Sequence, residues 1–83
     1  MLELLNLLLK IEKRIGGGAL TRIRTSPFNT LEIIIDWADD FHMLAEIKGK
    51  KLEAPLSELE DWIVNEAKRR REYFDHAKRE QTQ

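Results

Sequence analysis

Asp36, Asp39, Asp40 and His42 form the one place in the chain where carboxylates and an imidazole gather. Carboxylate oxygen and imidazole nitrogen can both bind a divalent cation, but this spacing matches neither a calcium loop nor a two-histidine zinc pattern. A solvated turn accounts for the cluster better, and no metal is expected. If Asp36 faces His42 across a hairpin, its carboxylate favours the charged imidazole, an expectation of direction only.

Gly16, Gly17 and Gly18 would suit a phosphate cradle if they followed a strand and opened a helix; they do the reverse, and read as a helix terminator. Neither Ser26 nor Ser57 stands in a nucleophile motif, and no Ser, His and Asp set is identifiable. Without cysteine the chain has no thiol nucleophile, thiolate metal site or disulfide. No catalytic residue and no cofactor are expected, and an enzyme is the least favoured class.

The strongest charge feature is Lys68-Arg69-Arg70-Arg71, followed by Lys78 and Arg79. Lys68, Arg69 and Arg71 are the candidates for phosphate contact if the chain binds nucleic acid, as a dimer whose two basic patches add through avidity. On a helical wheel the run points in several directions, and Glu66, Glu72, Asp75 and Glu80 dilute it. A solvated helix with i to i+4 pairs such as Glu66 with Arg70 explains it more simply.

Composition bounds the rest. Fourteen Lys and Arg against fifteen Asp and Glu give a net charge of −1, which points to neither a general polyanion binder nor an acidic nucleic-acid mimic, though local charge can still matter. Apolar residues at 42% beside 35% charged residues give the profile of a globular domain. At 83 residues the chain holds one core, so residues 1–79 are expected to form a single domain with a frayed tail at 80–83. The Leu-rich start, Met1 to Leu9, has no basic residue before it and is interrupted by Asn6 and Lys10. It is too short to span a membrane and reads as a helix. With no cysteine, a cytoplasmic location is expected.

These residues must be positioned by a small set of elements. From Met1 to Ile15 the wheel places Leu4, Leu7, Leu8, Ile11 and Ile15 on one side and Leu2, Leu5 and Leu9 on an adjoining stripe. The arc is broader than one sheet-facing stripe requires. Leu2, Leu5 and Leu9 are therefore candidates for an oligomer interface, the alternative being that a second helix covers them within one chain. From Ala19 the period becomes two, and three strands are expected: the first from Ala19 to Arg24, the second from Thr30 to Trp37, and the third over Phe41, Met43, Ala45 and Ile47. A very short fourth strand is expected around Leu52. Pro55 opens a second helix, with Ser57 and Glu60 as a capping box and an apolar stripe of Leu56, Leu59, Ile63, Ala67 and Phe74.

Burial fixes the parity of strand pairing. Around Asp39 the expected pairs are Trp37 with Phe41, Ile35 with Met43 and Ile33 with Ala45 inside, and Ile34 with Leu44 and Asp36 with His42 outside. For the first hairpin they are Ile23 with Leu31 inside, and Arg22 with Glu32 and Leu20 with Ile34 outside. An outer row Leu20, Ile34, Leu44 with Arg22 at its rim is then the candidate partner-binding face.

The expected architecture is α+β, a two-layer helix, three-stranded antiparallel sheet and helix (αβββα) with both helices on one sheet face. This order resembles the double-stranded-RNA-binding domain in topology. That family carries a lysine-rich motif at the start of its second helix, where this chain has Ser57-Glu58-Leu59-Glu60-Asp61, and a histidine in its first strand loop, where this chain has Ser26-Pro27-Phe28-Asn29. No RNA-contacting residue is carried over. The leading expectation is a non-enzymatic protein-interaction module, a self-associating regulator or inhibitor of a larger protein partner, with a homodimer favoured. Small stand-alone domains of this kind are often encoded by phages or mobile elements. The alternatives are the nucleic-acid-binding dimer and a structural or assembly subunit.

Overall fold

The switch from a helical to a two-residue apolar period becomes a change of element in the computed structural model, which describes residues 2–25, 27–28 and 30–81. The order is α1 (Leu2–Ile15), β1 (Leu20–Thr25), β2 (Leu31–Asp36), β3 (His42–Ile47), a 3-10 helix (Gly49–Glu53) and α2 (Leu56–Gln81). The strands form one antiparallel sheet in the order β1-β2-β3. Both helices cover the same face, the αβββα arrangement that the periodicity implies.

α1 stops because Gly16 to Gly18 all take positive φ, between 64° and 74°, after the Gly16 amide closes the last turn on the Glu12 carbonyl at 2.9 Å. A Cβ at Gly17 would stand 3.8 Å from the Trp37 ring, so space is adequate and the backbone conformation sets the need for glycine.

The core lies between the sheet and the helices. Ile33, Ile35, Met43, Ala45 and Ile47 of the sheet meet Leu7 and Ile11 of α1 and Leu59, Ile63, Val64 and Ala67 of α2. Ile11, Ile33, Ile35, Ile47, Ile63 and Val64 are fully buried. Each such side chain contributes about 1.5–3 kcal/mol through burial. Val64 falls outside the stripe read from the sequence because α2 is wedged against both α1 and the sheet, which widens its buried arc.

The β2–β3 hairpin has the expected register throughout, from Ile35 opposite Met43 to Asp36 opposite His42. Its loop is three residues, with the Asp40 amide on the Trp37 carbonyl at 3.3 Å and Asp40 itself at φ 72°. That is a type I turn closed by a left-handed residue, a standard route across a three-residue hairpin.

The β1–β2 register differs by two residues from the expectation: Ile23 lies opposite Ile33, Arg22 opposite Ile34 and Leu20 opposite Asp36. Parity, and so the buried face, is unchanged. The observed slide brings Arg24 to Glu32 at 2.9 Å and Arg22 to Asp36 at 3.4 Å, giving each arginine a carboxylate. Burial alone does not distinguish registers two residues apart.

Two further boundaries are corrected. Leu52 lies in the 3-10 helix and not in a fourth strand; Lys51 sets its ammonium 3.6 Å from the centre of the Trp62 ring. α2 begins at Leu56, and the Pro55 carbonyl accepts its first bonds, from Glu58 and Leu59. Ser57 is therefore inside the first turn and not at its cap, and Glu60 instead meets Arg14 of α1 at 2.6 Å. At the other end α2 includes Glu80 and Gln81, with His76 3.1 Å from Glu80 one turn later, while Thr82 and Gln83 lie outside the described residues.

Candidate functional site

Backbone alternation determines where this fold is open. The Trp37 amide donates to the Phe41 carbonyl at 2.8 Å, which makes that opposed pair a hydrogen-bonded one. In an antiparallel ladder bonded and non-bonded pairs alternate, so Met43, Ala45 and Ile47 bond to β2 while His42, Leu44 and Glu46 turn their N–H and C=O groups away from it. The Leu44 carbonyl shows this directly: it accepts from Arg70 Nη1 of α2 at 3.2 Å. Among the described residues no acceptor meets the amides of His42, Leu44 and Glu46.

The opposite edge of the sheet is capped at one of its outward amides. The Thr21 amide of β1 donates to Glu12 Oε1 at 2.8 Å, and the Thr21 hydroxyl bonds the same oxygen at 3.0 Å. A carboxylate from α1 thus occupies the outward Thr21 amide of β1 and leaves those of Ile23 and Thr25, while β3 keeps all its donors.

Beside the open edge runs a groove of about 610 Å³ between β3 and the second half of α2. Phe41, Leu44, Tyr73, Phe74 and Ala77 give it apolar walls, and Arg69, Arg70 and His42 stand at its rim. The Phe41 and Phe74 rings stack with centroids 4.5 Å apart, fixing one wall. Tyr73 is 78% exposed. α2, at 26 residues, spans about 39 Å, roughly twice the length of a six-residue strand, which is why its second half passes beyond the sheet and leaves this groove.

Arg71 holds the end of that structure together. Its guanidinium makes a bidentate pair with Asp39 of the hairpin loop, one arm at 2.8 Å, and lies 3.4 Å from Asp75. It also sits 5.4 Å from the Phe41 ring centre and 5.7 Å from that of Phe74. The hydrogen bond from Arg71 holds the Asp39 carboxyl at about 2, below its ordinary 3.8, and Asp39 in turn raises Arg71.

This placement redistributes the residues singled out in the sequence. Arg69 bonds Glu66 at 2.8 Å, Arg70 approaches the same carboxylate at 3.3 Å, and Arg71 is held by Asp39, so three members of the basic run already have carboxylate partners. Lys68 is exposed. Arg69 in turn lowers the Glu66 carboxyl below its usual range.

The outer sheet row is Arg22, Ile34, Leu44, with Leu20 displaced to a corner row beside Asp36 and His42. Leu20 is 65% exposed, whereas Ile34 and Leu44 are half-buried. The face expected from the sequence thus loses its third apolar member through the register correction. On α1, Leu5 and Leu9 are each 53% exposed, so α2 does not cover them. The side chain of Leu2 lies outside the described residues.

The acidic cluster is dispersed. Asp36 meets Arg22, Asp39 meets Arg71, and the His42 Nδ1 stands 3.4 Å from the Asp40 carbonyl. Among the described residues no group of three or more His, Cys, Asp or Glu side chains is placed to hold a metal ion. No described helix is long and apolar enough to cross a membrane.

The groove was absent from the sequence reading, although half of its signal was there. Pairing Trp37 with Phe41 already implies which amides of β3 face outward; that α2 would run beside this edge is a tertiary fact. Comparison with known proteins gave no match to a family model, to a curated protein or to a solved structure.

Proposed function

We propose that this chain is a non-enzymatic protein-interaction module that binds an extended segment of another polypeptide by strand addition to β3. The observation carrying this reading is the outward-facing row of His42, Leu44 and Glu46 backbone groups beside an apolar groove. Main-chain hydrogen bonds would supply affinity, and the groove would select apolar side chains at alternate positions of the incoming strand. A rigid domain attached in this way acts as a small regulator or inhibitor by occluding the segment it holds.

The test uses the orientation of Leu44. Its amide points away from β2, so Leu44→Pro removes an edge donor without removing a bond of the existing ladder. A random peptide library selected on the wild type should yield extended peptides that lose binding to Leu44→Pro and protect the His42, Leu44 and Glu46 amides from exchange. Peptides that bind both proteins equally, or that protect residues of α1 or of the outer sheet face, would overturn the reading.

A further inference from the structure

We infer that the strand completing β3 is β3 of a second copy, so that two chains form one continuous six-stranded sheet about a two-fold axis at Leu44. The inference rests on the strand-addition reading and names its partner. Its basis is the self-complementarity of the edge.

In an antiparallel pair centred on Leu44, the outward groups of His42, Leu44 and Glu46 meet the same groups of the second copy as hydrogen-bonded pairs. Leu44 then lies opposite Leu44 of the second copy, and His42 opposite Glu46 of the second copy, twice over by symmetry. Just beyond the strand, Asp40 and Lys48 come opposite one another. On the inner face Met43 meets Ala45 of the second copy and Phe41 meets Ile47. Every outer pair is therefore apolar with apolar, or acidic with basic or titratable nitrogen.

Neighbouring registers lack this match. Sliding one strand by two residues in one direction sets Glu46 against Asp40 of the second copy and Leu44 against His42. Sliding it the other way sets His42 against Lys48 and Leu44 against Glu46. Both slides preserve the backbone bonding parity, yet both oppose like charges or bury a leucine against a polar group. Charge pattern thus selects one register among those the backbone permits.

The rest of the molecule is compatible with a closed pair. Arg70, which bonds the Leu44 carbonyl, also lies 3.3 Å from Glu66, so it can yield that carbonyl to the incoming amide while keeping its carboxylate. Each α2 helix thus brings its own Arg70–Glu66 pair toward the axis. A two-fold β3–β3 pair uses the β3 edge of both chains, so it closes at two; further growth would have to run through β1, where Glu12 already occupies the Thr21 amide.

The experiment is light scattering over a concentration series, with amide exchange followed by NMR on the same protein. The wild type should rise from the mass of one 9.8 kDa chain to that of two and then plateau, with new protection at His42, Leu44 and Glu46. Leu44→Pro should raise the dissociation constant about thirtyfold, the loss of two edge bonds. Exposed Glu46→Lys, which leaves the ladder intact, should raise it about tenfold, and the double variant His42→Glu with Glu46→Lys should restore it.

A wild type that stays at one chain up to about 1 mM, above the range of specific association, would overturn self-pairing. Edge-binding peptides from the preceding experiment would still stand in that case. A dimer indifferent to Glu46→Lys but dissociated by Leu5→Glu with Leu9→Glu would also overturn it, by moving the interface to α1. Mass that grows without a plateau would exclude the two-fold arrangement.

Discussion

The pair between Asp39 and Arg71 joins a hairpin loop to the middle of a helix, with the two residues far apart in sequence. Because the Asp39 carboxyl is held at about 2 in the folded chain against an ordinary 3.8, its contribution to stability is complete above about pH 4 and is lost as pH falls toward 2. Thermal melts of the wild type between pH 5 and about pH 2 should therefore fall more steeply than those of Asp39→Asn. Equal slopes would show that the pair contributes nothing to folding. Asp40, one residue on, holds φ 72° with a side chain that disfavours it. Asp40→Gly should raise stability by about 0.5–1 kcal/mol in chemical denaturation, since glycine enters the left-handed region at little cost. Both residues first drew attention as possible ligands, and in the fold Asp39 instead pairs with Arg71 while Asp40 closes the hairpin turn.

At the scale of elements, α2 is held unevenly. Its first half buries Leu59, Ile63, Val64 and Ala67, whereas from His76 to Glu80 its residues are exposed or half-buried. Amide exchange should follow that gradient, slow from Ile63 to Ala67 and fast after Ala77. Ile35, fully buried in the central strand, reports on the other layer: Ile35→Ala should cost about 2–5 kcal/mol, read as a lowered denaturant midpoint at unchanged slope. The two edge strands differ in how they are finished, with a helix carboxylate on the Thr21 amide of β1 and a helix guanidinium on the Leu44 carbonyl of β3. A guanidinium occupies an acceptor and leaves every β3 donor available beside the apolar groove, which is why the proposed binding is placed at that edge.

For the molecule as a whole, the 83 residues build one core, and the proposed function is sought on its surface. Three surfaces compete: the leucines of α1, the outer sheet row and the β3 edge. Leu5 and Leu9 are exposed, but nothing in their setting specifies a partner. The outer row holds only Ile34 and Leu44 as adjacent apolar members once Leu20 moves to the corner. The β3 edge alone combines directional backbone groups, an apolar groove and a charge order that matches its own two-fold image. Binding through this edge should be weakly sensitive to salt. A steep loss of affinity with added salt would instead favour phosphate contacts by Lys68 and its neighbours.

The sequence by itself determined the element order, the buried face of each strand, the register of the second hairpin and the glycine stop after α1. Each of these follows from local chemistry: a period of 3.6 or 2, a three-residue turn, a run of residues without Cβ. Periodicity repeats every two residues, so it left the first hairpin free to slide, and the slide adopted is one that pairs Arg22 and Arg24 with Asp36 and Glu32. The expected fourth strand failed for a related reason, because so short a segment carries too little alternation to distinguish a strand from a 3-10 turn. Tertiary structure alone decided that α2 would lie along β3, sending Arg71 to Asp39 and Arg70 to the Leu44 carbonyl. The direction in which one helix crosses a sheet depends on the packing of both layers together, and no single segment encodes it.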